Sequence, residues 1–174
     1  MSRIVSHAWK ILATAVLGGC ASAPEGLQPV TGFEVDRYLG TWYEIARLDH
    51  AFERGLTKVT AEYSRRDDGT IRVVNRGYDA RRGKWREARA VARFAGSANV
   101  ASLKVAFFWP FSGACNVIIL DQEGYNYAMV TSSSRDCLWI LARQKRLDPA
   151  IQNELLAKAK EWGFRTEDLI FVEQ

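Results

Sequence analysis

From Thr41 to Arg143 the sequence reads as short strands cut by tight turns, and this limits the fold more than any other feature. The strand-like runs are residues 41–48, 57–66, 70–78, 84–94, 102–108, 114–121, 125–132 and 137–143. Asp67-Asp68-Gly69, Arg81-Arg82-Gly83 and Gln122-Glu123-Gly124 separate neighbouring runs, and such Gly-ended polar turns fit hairpins. Pro110 ends the fifth run, and residues 49–56 form a long loop after the first. Val59, Ala61 and Tyr63 alternate with Thr60 and Glu62, the period of a strand with one buried face. Eight consecutive strands joined this way predict a mainly β protein, an eight-stranded up-and-down antiparallel β-barrel. Closure would remove exposed strand edges. A barrel of that size holds either packed side chains or one small ligand, and periodicity leaves both open.

One C-terminal α-helix follows. Asp148 reads as its N-cap and Pro149 as its first residue. Ile151, Leu155, Ala159 and Trp162 recur at helical spacing, so the helix should lay an apolar stripe on the outside of the barrel. Gly163 fits its stop, and residues 169–172 read as a short final strand.

Residues 1–19 are set apart from the fold. They carry Arg3 and Lys10 and no acid, with an apolar run at 11–17. This is the make-up of an export signal, and the run is too short to cross a bilayer, which takes about 20 residues. Leu17-Gly18-Gly19-Cys20 resembles the bacterial lipobox, in which the cysteine becomes a lipidated N-terminus. By the same resemblance, Ala21 and Ser22 lack the aspartate that retains lipoproteins at the inner membrane. The resemblance therefore implies anchoring to the outer membrane through Cys20, with the periplasmic face favoured. Residues 20–32, with Pro24, Gly26 and Pro29, read as a tether, and residues 33–174 as the folded domain. Without residues 1–19 the net charge falls from +4 to +2. The remaining basic pairs are scattered, which argues against a nucleic-acid groove.

The motifs along the domain carry a family resemblance. Gly40-Thr41-Trp42-Tyr43-Glu44-Ile45-Ala46 resembles the lipocalin signature G-x-W-Y-E-I-A. Residues 33–38 resemble the short helix that closes the barrel's base. Residues 121–130 loosely resemble the middle motif, and Trp139-Ile140-Leu141-Ala142-Arg143 the last-strand motif. The chain is similar to bacterial lipocalins and apolipoprotein D. The resemblance implies that Trp42 sits at the closed end, that Arg143 lies across its indole, and that Gly40 gives the chain room to enter the first strand. These three would be structural.

The resemblance also implies a ligand pocket. If Trp139 faces inward, parity turns Cys137 and Leu141 inward as well. The matching family positions place Tyr63, Asn75, Phe107 and Cys115 on the inner wall, and Val117 follows Cys115 by parity. Asn75 is either a head-group contact or a satisfied buried amide. Phe107, Phe108 and Trp109 are alternatively part of an open rim. Burying a 16-carbon tail yields at most about 12 kcal/mol before ordering costs. No cluster of cations for a phosphate is evident. The implied ligand is a fatty acid, lysophospholipid or similar amphiphile, for storage, transport or scavenging.

Two other functions stay open. One is a structural or interaction lipoprotein of the envelope with a filled barrel. The other is an enzyme using Cys115 or Cys137 as nucleophile, for which no catalytic set is visible. His50 is the only histidine after residue 19, without metal-ligand spacing, so no metal or cofactor is expected. Glu44 is a lone carboxylate, read as a structural hydrogen-bonding group. A regular meander sets Cys115 opposite Val130 and Val130 opposite Cys137. That separation is roughly 9–10 Å, too far for a disulfide, and predicts two free thiols in the pocket wall. An aromatic rim would leave a homodimer open.

Overall fold

The structure is a computed structural model describing residues 22–108 and 111–174. Residues 1–19, read above as an export signal, and Cys20 and Trp109 lie outside the described residues. The strands are β1 (Gly40–Arg47), β2 (Leu56–Arg65), β3 (Ile71–Asp79), β4 (Lys84–Phe94), β5 (Ser102–Phe108), β6 (Phe111–Leu120), β7 (Tyr127–Thr131), β8 (Leu138–Ala142) and β9 (Ile170–Phe171). The helices are α1 (Val35–Tyr38) and α2 (Pro149–Glu161). Tight turns join the strands as the sequence implied. In the β2–β3 turn, Gly69 takes φ +77° and the Asp68 carboxylate accepts the Thr70 amide at 3.0 Å. Strands β1 to β8 pair in order, and β1 closes the barrel by pairing with both β8 and β2.

Two apolar cores result from strand alternation. Inside the barrel, Tyr38, Trp42, Tyr63, Val73, Leu103, Val117 and Leu141 pack together. Outside, Leu138, Ile140 and Ala142 of β8 meet Leu155 and Ala159 of α2. The Asp148 side chain accepts from the amides of Ala150 and Ile151, which starts α2 as expected. Gly163 follows the helix at φ +78°.

Several features differ from the sequence reading. β1 carries a bulge between Glu44 and Ala46. Ile45 and Ala46 therefore both reach the outer core, and Arg47 is buried with Glu44. β7 begins later than expected, because Tyr125 adopts φ +55° and Asp121 binds the amides of Gly124 and Asn126. Val130 pairs with Val117 and Trp139, so the β6–β7–β8 register is offset by two residues from the expected one. β4 pairs with β5 only over Val91–Phe94, so among the described residues the upper part of β4 is an unpaired edge. Its charged side chains, including Arg86, Glu87 and Arg89, discourage strand addition there.

The C-terminal segment closes a gap. β2 pairs with β1 only as far as Tyr43, and β9 then takes that edge at Ala46 and Arg47. The Gln174 side-chain amide donates to the carbonyls of Glu44 (2.5 Å) and Val59 (3.0 Å), joining the two diverging strands.

The segment read as a tether is packed against the barrel over much of its length. Pro24 and Leu27 are buried, and the Val30 amide donates to the Val117 carbonyl at 2.9 Å. The Arg135 guanidinium, on the β7–β8 loop, holds the Glu25 carbonyl at 2.7 Å.

Candidate functional site

One end of the barrel is sealed. Gly40 enters β1 at φ +94°, where a side chain would be strained. The Trp42 indole is fully buried and donates to the Tyr38 carbonyl at 2.8 Å. The Arg143 guanidinium lies 3.9 Å from the centre of that indole. It also donates to the carbonyls of Tyr125, Thr41 and Arg37. Arg143 thus ties α1, β1 and the β7 approach together through one planar group.

Above this base the barrel holds a cavity of about 250 Å³. Tyr63, Asn75, Phe107, Cys115 and Trp139 line it, as do Cys137 and Leu141. Val117 does not; it faces inward but is fully buried in the packed core. Cys115 and Cys137 are free thiols. Burial pushes the Cys115 thiol up to about 12. The Asn75 side-chain oxygen is buried and has no hydrogen-bond partner within the protein, which favours the head-group reading of this residue.

Sequence reasoning missed the loop over this cavity. Phe52, half exposed, stacks on His50 at 4.2 Å and approaches Phe107 at 5.9 Å. His50 in turn lies 4.9 Å from Trp139. The loop also delivers Glu53, so Glu44 is not the lone carboxylate the sequence suggested: both line the cavity. Arg47 donates to Glu44 at 2.6 Å and to the carbonyls of Glu53 and Leu56 at 3.0 and 3.3 Å. The Trp139 indole donates to the Glu53 carboxylate at 3.2 Å.

Electrostatics follow from these positions. Burial, and then repulsion from Glu53, raise the Glu44 carboxyl to about 8 despite Arg47. Burial also raises Glu53. Burial, followed by the Arg47 charge, lowers His50 to about 4, so its ring is neutral at pH 7. The only sequence signal for this group was Glu44 within the first-strand motif. The β1 bulge that buries Arg47 beside Glu44 is invisible to period-two reading.

A closed meander with a packed base, an apolar cavity and an aromatic loop over it defines a calyx-type ligand binder. The family description Lipocalin-like domain matches residues 33–174, and the chain belongs to the lipocalin family. It is similar to the outer membrane lipoprotein Blc of Vibrio cholerae, with 47% identity over 94% of this chain and 96% of that one. Blc of Escherichia coli is 50% identical over 87% of this chain and 85% of its own length. The cockroach allergen Per a 4 has the same fold, with a TM-score of 0.69 and 19% identity over 88% of this chain and 96% of that one. The chain is an outer-membrane lipoprotein of the lipocalin type, a class of hydrophobic-ligand binders. Among the described residues no helix is long and apolar enough to cross a membrane.

Proposed function

We propose that this lipocalin holds one long-chain amphiphile, a fatty acid or lysophospholipid, and stores, carries or scavenges it at the periplasmic face of the outer membrane. The cavity carries this reading: an apolar space above a base already filled by Trp42 and Val117. It favours ligand binding over a filled barrel. The Cys115 thiol, raised to about 12, is far from the thiolate that nucleophilic catalysis needs. This favours a binder over an enzyme built on Cys115.

Residues 1–19 serve as the export signal and Cys20 as the lipidated anchor. Glu25 is fixed at the β7–β8 loop, which lies at the cavity end of the barrel. The four-residue step from Cys20 to Pro24 spans at most about 14 Å. The anchor thus holds the cavity mouth toward the membrane. That end also presents exposed Phe52 and Trp85, with Arg81, Arg82, Lys84 and Arg86 on or beside the β3–β4 turn. Aromatic and basic groups together suit an anionic lipid surface.

Native mass spectrometry of protein extracted from its own membrane tests both parts. The expected mass includes an N-terminal lipid on Cys20 and a retained amphiphile. Added lysophospholipid should change the fluorescence of the wild type more than that of Trp139→Phe. Absence of binding across fatty acids and lysophospholipids would overturn the ligand reading, and an unmodified Cys20 would overturn the anchor.

A further inference from the structure

The polar part of the cavity wall is one-sided. Among the described residues lining it, Glu44 and Glu53 are the only charged ones. The nearest cation, Arg47, is 1% exposed and already bound to Glu44, the Glu53 carbonyl and the Leu56 carbonyl. With both carboxyls ionised, the buried trio carries one uncompensated negative charge. A buried charge without a partner is costly, so one positive charge must come from a proton or from whatever enters the cavity.

Two rings meet the outer carboxyl, and a third backs one of them. Trp139 donates to Glu53, His50 Nε2 lies 3.2 Å from the same Oε2 atom, and Phe52 stacks on His50. The His50 side chain is nine-tenths buried, yet neither ring nitrogen has a hydrogen-bond partner. The Asn75 oxygen, also lining the cavity, is another buried acceptor without a donor. Carboxylates, a free carbonyl oxygen and aromatic faces all attract a cationic nitrogen. A ligand carboxylate would meet two acids and no available cation.

We propose that Glu53, with Glu44 beside it and the rings of His50, Phe52 and Trp139 around it, is the head-group site of this cavity, selecting amphiphiles that end in an ammonium over those that end in a carboxylate. The inference rests on the reading that the cavity takes a long-chain ligand, and it narrows that ligand's chemistry. On binding, the ammonium takes the place of the proton held between the two carboxyls, which leaves for solvent.

The test offers the membrane-extracted full-length protein three 16-carbon chains that differ only in their ends: hexadecylamine, hexadecanol and palmitate. Native mass spectrometry of the equimolar mixture reads the occupancy of each. The amine should exceed palmitate by about tenfold in the wild type. Glu53→Gln, with its fold checked by circular dichroism, should bring the two within about twofold. Equal or greater palmitate occupancy in the wild type overturns the head-group site, whatever the variant does. So does a Glu53→Gln preference equal to that of the wild type. Binding of none of the three chains overturns the head-group site, and the ligand reading with it if added lysophospholipid also fails to bind, whereas equal binding of all three overturns only the selectivity.

Discussion

The two ends of the barrel handle buried polar groups in opposite ways. At the closed end, the Trp42 indole and each nitrogen of the Arg143 guanidinium have a carbonyl to donate to. The Tyr38 hydroxyl, near the Tyr63 ring, is the exception. At the cavity end, Arg47 Nε, both His50 nitrogens and the Asn75 oxygen make no hydrogen bond within the protein, and two carboxyls crowd one guanidinium. An unmet buried polar group costs roughly 1–3 kcal/mol, so the cavity end should detract from stability that the closed end supplies. Stability and ligand recognition are thus separated along the barrel axis, and substitutions at the two ends should behave differently.

Trp42→Ala should cause the largest loss. Removing a fully buried indole costs about 3–5 kcal/mol. It also leaves Arg143 without the ring it covers, 3.9 Å away. Urea unfolding should show the drop directly. If the variant unfolds within about 1 kcal/mol of the wild type, the closed end is not where stability resides.

The cavity end should reveal itself through pH. The Glu44 carboxyl is raised from an ordinary 4.5 to about 8 in the fold. The folded state then binds more proton than the unfolded state between those values, so stability falls as pH rises through them. His50 acts in the other direction. Its value drops from 6.5 to about 4, so its contribution is complete above 6.5 and lost as pH falls toward 4. The two offset below about 6.5, and above it the buried Glu44–Glu53 pair sets the slope, with Glu44 the more strongly raised member. Denaturation midpoints should therefore decline from pH 6.5 to 8, by at most about 2 kcal/mol for one proton. Glu44→Gln should flatten that limb; an unchanged slope would mean that Glu44 is not the group titrating.

These contrasts explain what the sequence could reveal. The closed end is written locally: Gly40, Trp42 and Arg143 lie in contiguous motifs, and the helix announces itself through Asp148 and its apolar spacing. The inward-facing set was also legible, although the β6–β7–β8 register was off by two. A slip of two residues preserves which face each side chain takes, whereas a slip of one would have turned Cys115 and Trp139 outward. The Glu44–Arg47–Glu53 group was not legible, because it needs a bulge in β1 and a loop folded back over the barrel. Neither has a periodic signature. The packing of Leu27 and Val30 was hidden for a similar reason, since the surface they cover comes from residues far along the chain. The same applies to Val117, whose parity was right but whose depth in the barrel depends on how the packed base fills.

Gly77 joins the loop to the sheet beneath it. A Cβ there would meet Leu56 at 3.0 Å and Val59 at 3.2 Å, on the stretch where β2 leaves the barrel wall. Gly77→Ala should cost about 1–3 kcal/mol through overpacking. It should also displace the base of the 49–56 loop, so a ligand should dissociate faster from the variant. Reduced stability with an unchanged dissociation rate would separate the loop from ligand retention.

Asn75→Leu gives the smallest effect on stability and the sharpest contrast with Trp42→Ala. The substitution removes a buried oxygen that has no donor and supplies apolar volume to a wall already apolar. Losing an unmet acceptor is favourable, and filling part of the cavity adds contact. Melting temperature should hold or rise by a few degrees, as about 0.5–1 kcal/mol would produce in a domain this size. Chain binding should weaken, because the added side chain takes ligand space beside the wall that Tyr63 and Phe107 share. A marked fall in stability would instead show that the Asn75 oxygen has a bound water as its partner. The amide would then belong to the protein's own framework and not to its ligand surface.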